Sequence, residues 1–179
     1  MNFIQKYSLS SHLKRFVKRK EKEDVQVCSL EQAETVCIFH TFESSNLLEQ
    51  IIRLVSSLEK NRKNVSLFCY FPKEKEFLAN KQERIYPISE KDFDFKGSLR
   101  KEKLLFLQKQ SFDILIDLDK ETSLFSLYLT GKTNAKFRIG RCENAKKYYN
   151  VILYSSNESH TVEEYFQSID KYTKKIVWQ

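Results

Sequence analysis

Short apolar runs alternate along this chain with segments whose apolar residues recur every three or four positions. Thr35–His40 (TVCIFH), Asn64–Phe71 (NVSLFCYF), Ile85–Ile88, Phe112–Leu118 (FDILIDL), 136–139 and 148–154 (YYNVILY) read as strands, several of them rich in β-branched and aromatic residues. Leu47, Ile51, Leu54, Val55 and Leu58 fall at helical spacing over residues 46–60, with Ser45 or Asn46 as the cap. Leu99, Leu104, Leu105 and Leu107 mark a helix over 98–110. A helix near 121–130 is expected to stop at Gly131, and Val162, Tyr165, Phe166, Ile169 and Tyr172 define a closing helix over 161–175. Residues 73–81 are charged and read as a short helix or loop, and DFDFKG at 92–97 as an edge strand or ordered loop.

Strands separated by helices predict an α/β fold: a single Rossmann-like domain with a mostly parallel, doubly wound sheet flanked by helices. Ile114, Leu115 and Ile116 are apolar on both faces, which places their strand inside the sheet. That strand ends in Asp117 and Asp119, followed by Lys120. Open α/β sheets bind ligands at such strand ends, so these three residues are the candidate ligand site.

At the N-terminus, Leu9, Leu13, Phe16 and Val17 recur at i, i+4, i+7 and i+8. They predict a short amphipathic helix, capped by Ser8, Ser10 or Ser11. The chain divides on this reading into a basic appendage, residues 1–24, and an α/β domain, residues 25–179. Charge sharpens the division. Residues 1–22 hold seven basic side chains against Glu21 alone, so most of the net charge of +7 belongs to the appendage and the remaining chain is nearly neutral. A broad nucleic-acid-binding face over the whole domain is therefore disfavoured. Lys14, Arg15, Lys18, Arg19 and Lys20 are the candidate contacts to an anionic partner: nucleic acid, a membrane surface or an acidic protein. The plainer reading docks the apolar stripe on the protein's own sheet and leaves the lysines in water.

No apolar run approaches the roughly 20 residues of a bilayer span, and no signal-peptide pattern opens the chain, so a cytoplasmic location is expected. Cys28, Cys37, Cys69 and Cys142 show no paired spacing and read as buried, reduced thiols. Cys37 and His40 form a CxxH, but three residues along a strand put the two on opposite faces, so no metal site is expected. No cofactor is expected either, because only three glycines are present and none lies in the turn after the first strand.

Most motif-like strings lack their context. Gly131-Lys132-Thr133 follows a helix, whereas a phosphate-binding loop follows a strand, and the first glycine of that motif would fall at Ser126. Asp117-Leu118-Asp119 has the spacing of the nucleophile and acid in haloacid-dehalogenase-like phosphatases. Lys120 and Glu121 stand where those enzymes have Gly-Thr, and no paired-aspartate metal motif follows. The simpler role for both aspartates is to cap the next helix and satisfy backbone N–H groups. Asp92-Phe93-Asp94 continues its alternation to Phe95, as a strand with one polar face does. His12, His40 and His160 stand without a nucleophile motif and read as structural or exposed.

Two resemblances follow. FDILIDLD, a helix and TNAKFRIGR at 133–141 resemble the end of the N-terminal half of heptosyltransferase-type GT-B glycosyltransferases. The chain lacks their glycine-rich first turn and has no sugar-nucleotide domain, so this implies a fold and not an activity. The whole chain is more closely similar to a family of single-domain proteins of unknown function found mainly in Bacteroidetes. That similarity runs through the basic N-terminal helix, DFDFKG, FDILIDL, AKFRIGR and YYNVILY. The expected function is a non-catalytic binding or scaffolding module whose basic helix contacts an anionic partner. The alternative is a small enzyme or enzyme subunit of glycosyltransferase-like ancestry, using the strand end at Asp117 and Asp119.

Overall fold

The computed structural model describes residues 3–20, 25–73, 85–121, 123–153 and 161–177. Its strands are β1 (Thr35–Thr41), β2 (Asn64–Phe71), β3 (Ile85–Ser89), β4 (Ser111–Asp117), β5 (Asn134–Gly140) and β6 (Val151–Ile152). They form one sheet in the order β3-β2-β1-β4-β5-β6, with every neighbouring pair parallel. Among the described residues the α-helices are α1 (Phe3–Lys20), α2 (Ser45–Lys60), α3 (Lys101–Lys109), α4 (Leu124–Lys132) and α5 (Val162–Val177). This is a Rossmann-like α/β domain. The chain winds outward from β1 through β2 to β3, then returns to β4 and winds the other way. The order therefore reverses between β1 and β4.

Both sheet faces are covered. Val36, Ile38, Leu67, Ile114 and Ile116 pack against Leu48, Ile51 and Val55 of α2 and Val162, Phe166 and Ile169 of α5. On the other face, Cys37, Phe39, Phe68 and Leu115 pack with Leu107 of α3 and Leu127 and Leu129 of α4. Burial on both sides accounts for the apolar run of β4, in which Ile114, Leu115 and Ile116 are fully buried. Cys37, Cys69 and Cys142 are buried free thiols and Cys28 is half-buried.

Helix boundaries follow local hydrogen bonding. The Ser44 hydroxyl accepts the Leu47 N–H at 3.3 Å, so α2 is capped one residue ahead of the expected Ser45 or Asn46. A capping box opens α5: the Thr161 hydroxyl accepts the Glu164 N–H at 3.2 Å, and the Glu164 carboxylate accepts the Thr161 N–H at 2.8 Å. Helix α1 begins at Phe3, so Ser8, Ser10 and Ser11 lie within it and do not cap it.

Helix α1 docks chiefly on a helix and a turn, and meets the sheet at Arg138 of β5, whose guanidinium lies 5.3 Å from the centre of the Phe16 ring. Leu13 and Phe16 are buried against α4 and the 3₁₀ segment Glu143–Tyr148. The Phe16 ring lies parallel to that of Tyr148, 6.4 Å between centroids. A Cβ on Gly131 would stand 3.1 Å from the Phe16 ring. Gly131 therefore does not stop α4, which continues to Lys132; it clears the seat for Phe16. Val17 is half-buried, and the side chain of Leu9 lies outside those described.

Three other segments can be set beside their expectations. DFDFKG is an ordered loop: Asp94 Oδ1 accepts the N–H groups of Lys96 and Ser98 at 2.8 and 2.9 Å, and Gly97 has φ 76°. The strand expected over 148–154 shrinks to Val151–Ile152, because 143–148 coils into the 3₁₀ segment. Residues 74–84 lie outside those described, and most of the 73–81 segment with them.

Candidate functional site

The strand order reverses where β1 and β4 end side by side, and Asp117 and Asp119 stand there. Leu118 N–H donates to the Phe39 carbonyl at 3.0 Å, carrying the pairing past the last residue of β4. The chain turns after Leu118, with the Asp119 N–H folded back on the Asp117 carboxylate, and the two carboxylates take different partners. The Asp117 side chain is buried and accepts three bonds: from the Ser126 hydroxyl, from the Tyr149 hydroxyl, and from the Asp119 N–H at 3.0 Å. Ser126 lies in the first turn of α4, while Tyr149 comes from beyond β5. It reaches Asp117 because residue 140 is glycine; a Cβ there would come within 2.5 Å of its ring. The glycine of the Arg-Ile-Gly string is thus required by a tyrosine nine residues later.

Asp119, also buried, straps the two strand ends together. Its carboxylate accepts the Thr41 N–H at 2.7 Å and the Thr41 hydroxyl at 2.6 Å. The expectation that both aspartates cap the following helix is corrected: the cap of α4 is Ser123, whose hydroxyl accepts the Ser126 N–H at 3.3 Å. The same strap recurs at the other end of these strands. Asp113 Oδ2 accepts the Thr35 N–H and hydroxyl, both at 3.0 Å, and its Oδ1 accepts from Lys136 at 2.8 Å.

Burial sets the electrostatics. It raises the carboxyl of Asp117 above the usual range, and it raises Asp119, with help from the charge of Asp117, to about 7. It lowers His40, packed beside Asp119, to about 4. His40 Nδ1 and Asp119 Oδ1 are 3.7 Å apart, and with a neutral imidazole at neutral pH this is a polar contact and not an ion pair. Both ring nitrogens of His40 are buried without a hydrogen-bond partner. Tyr149 and the thiols of Cys37 and Cys69 are all raised by burial, so each stays protonated near neutrality.

A cleft of about 420 Å³ opens above the strand ends, lined by Thr41, Glu43, Asp119, Lys120, Glu121 and Ser123. Lys120 is exposed at its rim. With three carboxyl groups to one lysine, the cleft does not suit a phosphate. The oxygens of Asp117 and Asp119 are already engaged as hydrogen-bond acceptors. Asp92 and Asp94 are likewise occupied by their own loop. Among the described residues, no group of three or more His, Cys, Asp and Glu side chains is placed to hold a metal ion.

The basic candidates lie on the other side of the molecule's chemistry. Lys14, Arg15, Lys18 and Arg19 are exposed on α1. Lys20 is half-buried, and its ammonium donates to the Tyr149 carbonyl at 2.5 Å. Arg19 donates to the Gly131 carbonyl at 3.4 Å and lies 5.8 Å from the centre of the Phe16 ring. Lys22 and His160 lie outside the described residues.

The structure thus keeps Asp117 with Asp119 and places Lys120 at the rim. It adds Thr41, Ser126 and Tyr149, which the sequence did not single out, and His40, which the sequence read as structural or exposed and not as part of a site. A glycine after a buried strand, followed within ten residues by a tyrosine pair, was the available signal for Tyr149. The orphaned His40 had only its place in an apolar run.

Among the described residues no helix is long and apolar enough to cross a membrane. Neither curated proteins nor solved structures gave a match to the chain. A family model does match, over residues 5–176, from within α1 to within α5. The chain belongs to that family, described as Family of unknown function (DUF6913).

Proposed function

We propose that this protein is a non-catalytic binding module whose basic helix α1 contacts an anionic partner. The observation that carries this reading is the way α1 is held. Leu13 and Phe16 anchor one side of the helix, while Lys14, Arg15, Lys18 and Arg19 face solvent. No acidic residue occurs in α1 from Phe3 to Lys20, so its outer surface carries one sign of charge. Such a surface attracts polyanions at long range and loses that attraction as salt rises. The strand ends add support, because the oxygens of both aspartates there are engaged in fastening the fold.

The test is charge reversal on the intact fold. Lys14, Arg15 and Lys18 changed together to Glu, with Arg19 kept for its bond to Gly131, should keep the circular dichroism and melting of the parent. Retention on an anionic matrix should drop at least tenfold, and binding by the parent should weaken steeply with salt. Undiminished retention of the reversed protein would overturn the reading.

One observation favours a second reading, a small enzyme or enzyme subunit of glycosyltransferase-like ancestry: the cleft of about 420 Å³ at the strand-order reversal. It calls for a sugar nucleotide or divalent cation to raise the melting temperature in a manner that Asp119→Asn abolishes. A flat screen removes it.

A further inference from the structure

A second concavity lies between α1 and α4, at the edge of the sheet where the strands begin. Lys132 and Gln108 stand just ahead of Asn134 and Ser111, the paired first residues of β5 and β4, so both belong to that edge. The cleft, about 270 Å³, is walled by His12, Arg15 and Arg19 of α1 and by Gln108, Tyr128 and Lys132 from the sheet side, with Phe16 in its floor. No acidic side chain is among the described residues that line it. We infer that this cleft is a binding site for a compact, multiply charged phosphoryl group, free or as the terminal phosphate of a small phosphorylated molecule.

Three features carry the inference. The first is convergence. Positions 12, 15, 16 and 19 recur at i, i+3, i+4 and i+7 and form one strip of α1, so the helix brings two guanidinium groups and an imidazole to the same groove. Lys132 comes to meet them from a different element.

The second is mutual repulsion. Lys132 is partly buried; burial first, and then the charges of Arg15 and Arg19, lower its ammonium below the usual lysine value. His12 is lowered likewise, by burial and then by Lys132 and Arg15, with Asp94 opposing. Cations held together in this way gain from an anion that enters between them.

The third is magnitude. The C-terminus of α4 lies at the cleft, and Arg19 donates to its Gly131 carbonyl. A helix C-terminus supplies only about half a negative charge, against three cations here. Capping that helix therefore accounts for part of Arg19 and leaves Arg15 and Lys132 in excess.

The cleft also separates phosphoryl chemistry from a diffuse polyanion. Lys14 and Lys18 do not line it and sit roughly 60–100° round α1 from Arg15, given about 100° per residue. A nucleic-acid backbone spreads single charges along a line and would engage that outer flank. A phosphomonoester concentrates two charges at one point and matches the groove, where the Gln108 amide adds a neutral donor and guanidinium forks suit phosphate oxygens.

This inference rests on the binding-module reading and names the partner's chemistry. It is tested on the full chain by calorimetry with inorganic phosphate, adenosine 5′-triphosphate, a single-stranded oligonucleotide lacking terminal phosphate, and vesicles containing phosphatidylserine. The expected result is saturable, salt-sensitive binding of phosphate or the nucleotide. Lys132→Gln and Arg15→Gln should each weaken it at least fivefold, and the paired change Lys14→Gln with Lys18→Gln should leave it within twofold. Tighter binding of the nucleotide than of phosphate identifies a small organophosphate as the source; equal affinities identify the free anion. Two results overturn the inference: no binding of either probe at millimolar concentration, or equal loss from the Lys132 and the Lys14/Lys18 changes. If the oligonucleotide or vesicles still bind through α1 in that case, the cleft fails while the binding-module reading stands. If no probe binds, both fail.

Discussion

The β1–β4 seam is fastened at its two ends by the same pair of bonds, yet the two ends behave as different chemistries. At the strand starts Asp113 accepts the N–H and hydroxyl of Thr35; at the strand ends Asp119 accepts the N–H and hydroxyl of Thr41. Asp113 is only partly buried and has Lys136 beside it. Burial alone would raise its carboxyl, but the hydrogen bonds from Lys136, Thr35 and Glu34 bring it down to about 2. Asp119 has shorter bonds from Thr41 but, among the described residues, no cation beside it; with Asp117 nearby it rises to about 7. Hydrogen-bond geometry is thus a poor guide to a carboxylate's charge; depth and the nearest charge decide it. The strand-end Asp119 fastens the fold through Thr41, and its carboxyl keeps its proton to a higher pH than an ordinary aspartate does.

The largest expected effect is on the pH dependence of stability. A raised folded pKa means that, between about 4 and 7, the unfolded chain has released the Asp119 proton while the folded one keeps it. Asp119 therefore lowers stability as pH rises through that window. His40 acts in the opposite sense: its folded value near 4 lies below its unfolded 6.5, so stability rises with pH between the two. Asp119→Asn removes the falling contribution. Relative to the parent, the variant should gain about 3 kcal/mol between pH 4 and 6.5, at roughly 1.4 kcal/mol per pH unit. Urea unfolding at a series of pH values measures this, and parallel curves for the two proteins would show that Asp119 titrates like an ordinary surface carboxylate.

A smaller effect separates the two threonines. Thr41→Val leaves a buried carboxylate oxygen without its donor and should cost about 2 kcal/mol, whereas water can replace the hydroxyl in Thr35→Val, for about 1 kcal/mol or less. Equal losses in urea unfolding at pH 7 would mean that the two ends are not distinguished by depth. The smallest effect belongs to Lys136→Met. Stability should barely move, since Lys136 is at the surface, while the Asp113 carboxyl rises toward the ordinary range in an NMR titration.

The sheet was legible in the sequence because a doubly covered strand cannot disguise itself: Ile114, Leu115 and Ile116 have no polar face to offer water. Alternation of the two periods then named all six strand positions, though not the length of β6. What escaped was long-range. Tyr149 finds Asp117 across 32 residues through the space left by Gly140, and Phe16 fills the space above Gly131. Gly131 reads as a helix stop and Gly140 as part of a strand, yet each leaves room for a ring from elsewhere, and local pattern carries no record of the ring. The basic face of α1 was visible as composition; its convergence with Lys132 was not, because Lys132 read only as the middle of a failed phosphate-loop string.

The docking of Phe16 also has a consequence in time. Helix α1 is made before the rest of this domain, but its seat is made of Gly131 and Tyr148, more than a hundred residues further along. At about 5–20 residues per second, roughly 6–25 seconds pass between the appearance of the helix and that of the surface it covers. For that interval the chain carries a cationic, half-apolar helix with nothing of its own to lie on. Helix α4 and the turn after β5 thus decide when α1 ceases to be sticky, and this domain completes its folding at the end of it that is made earliest.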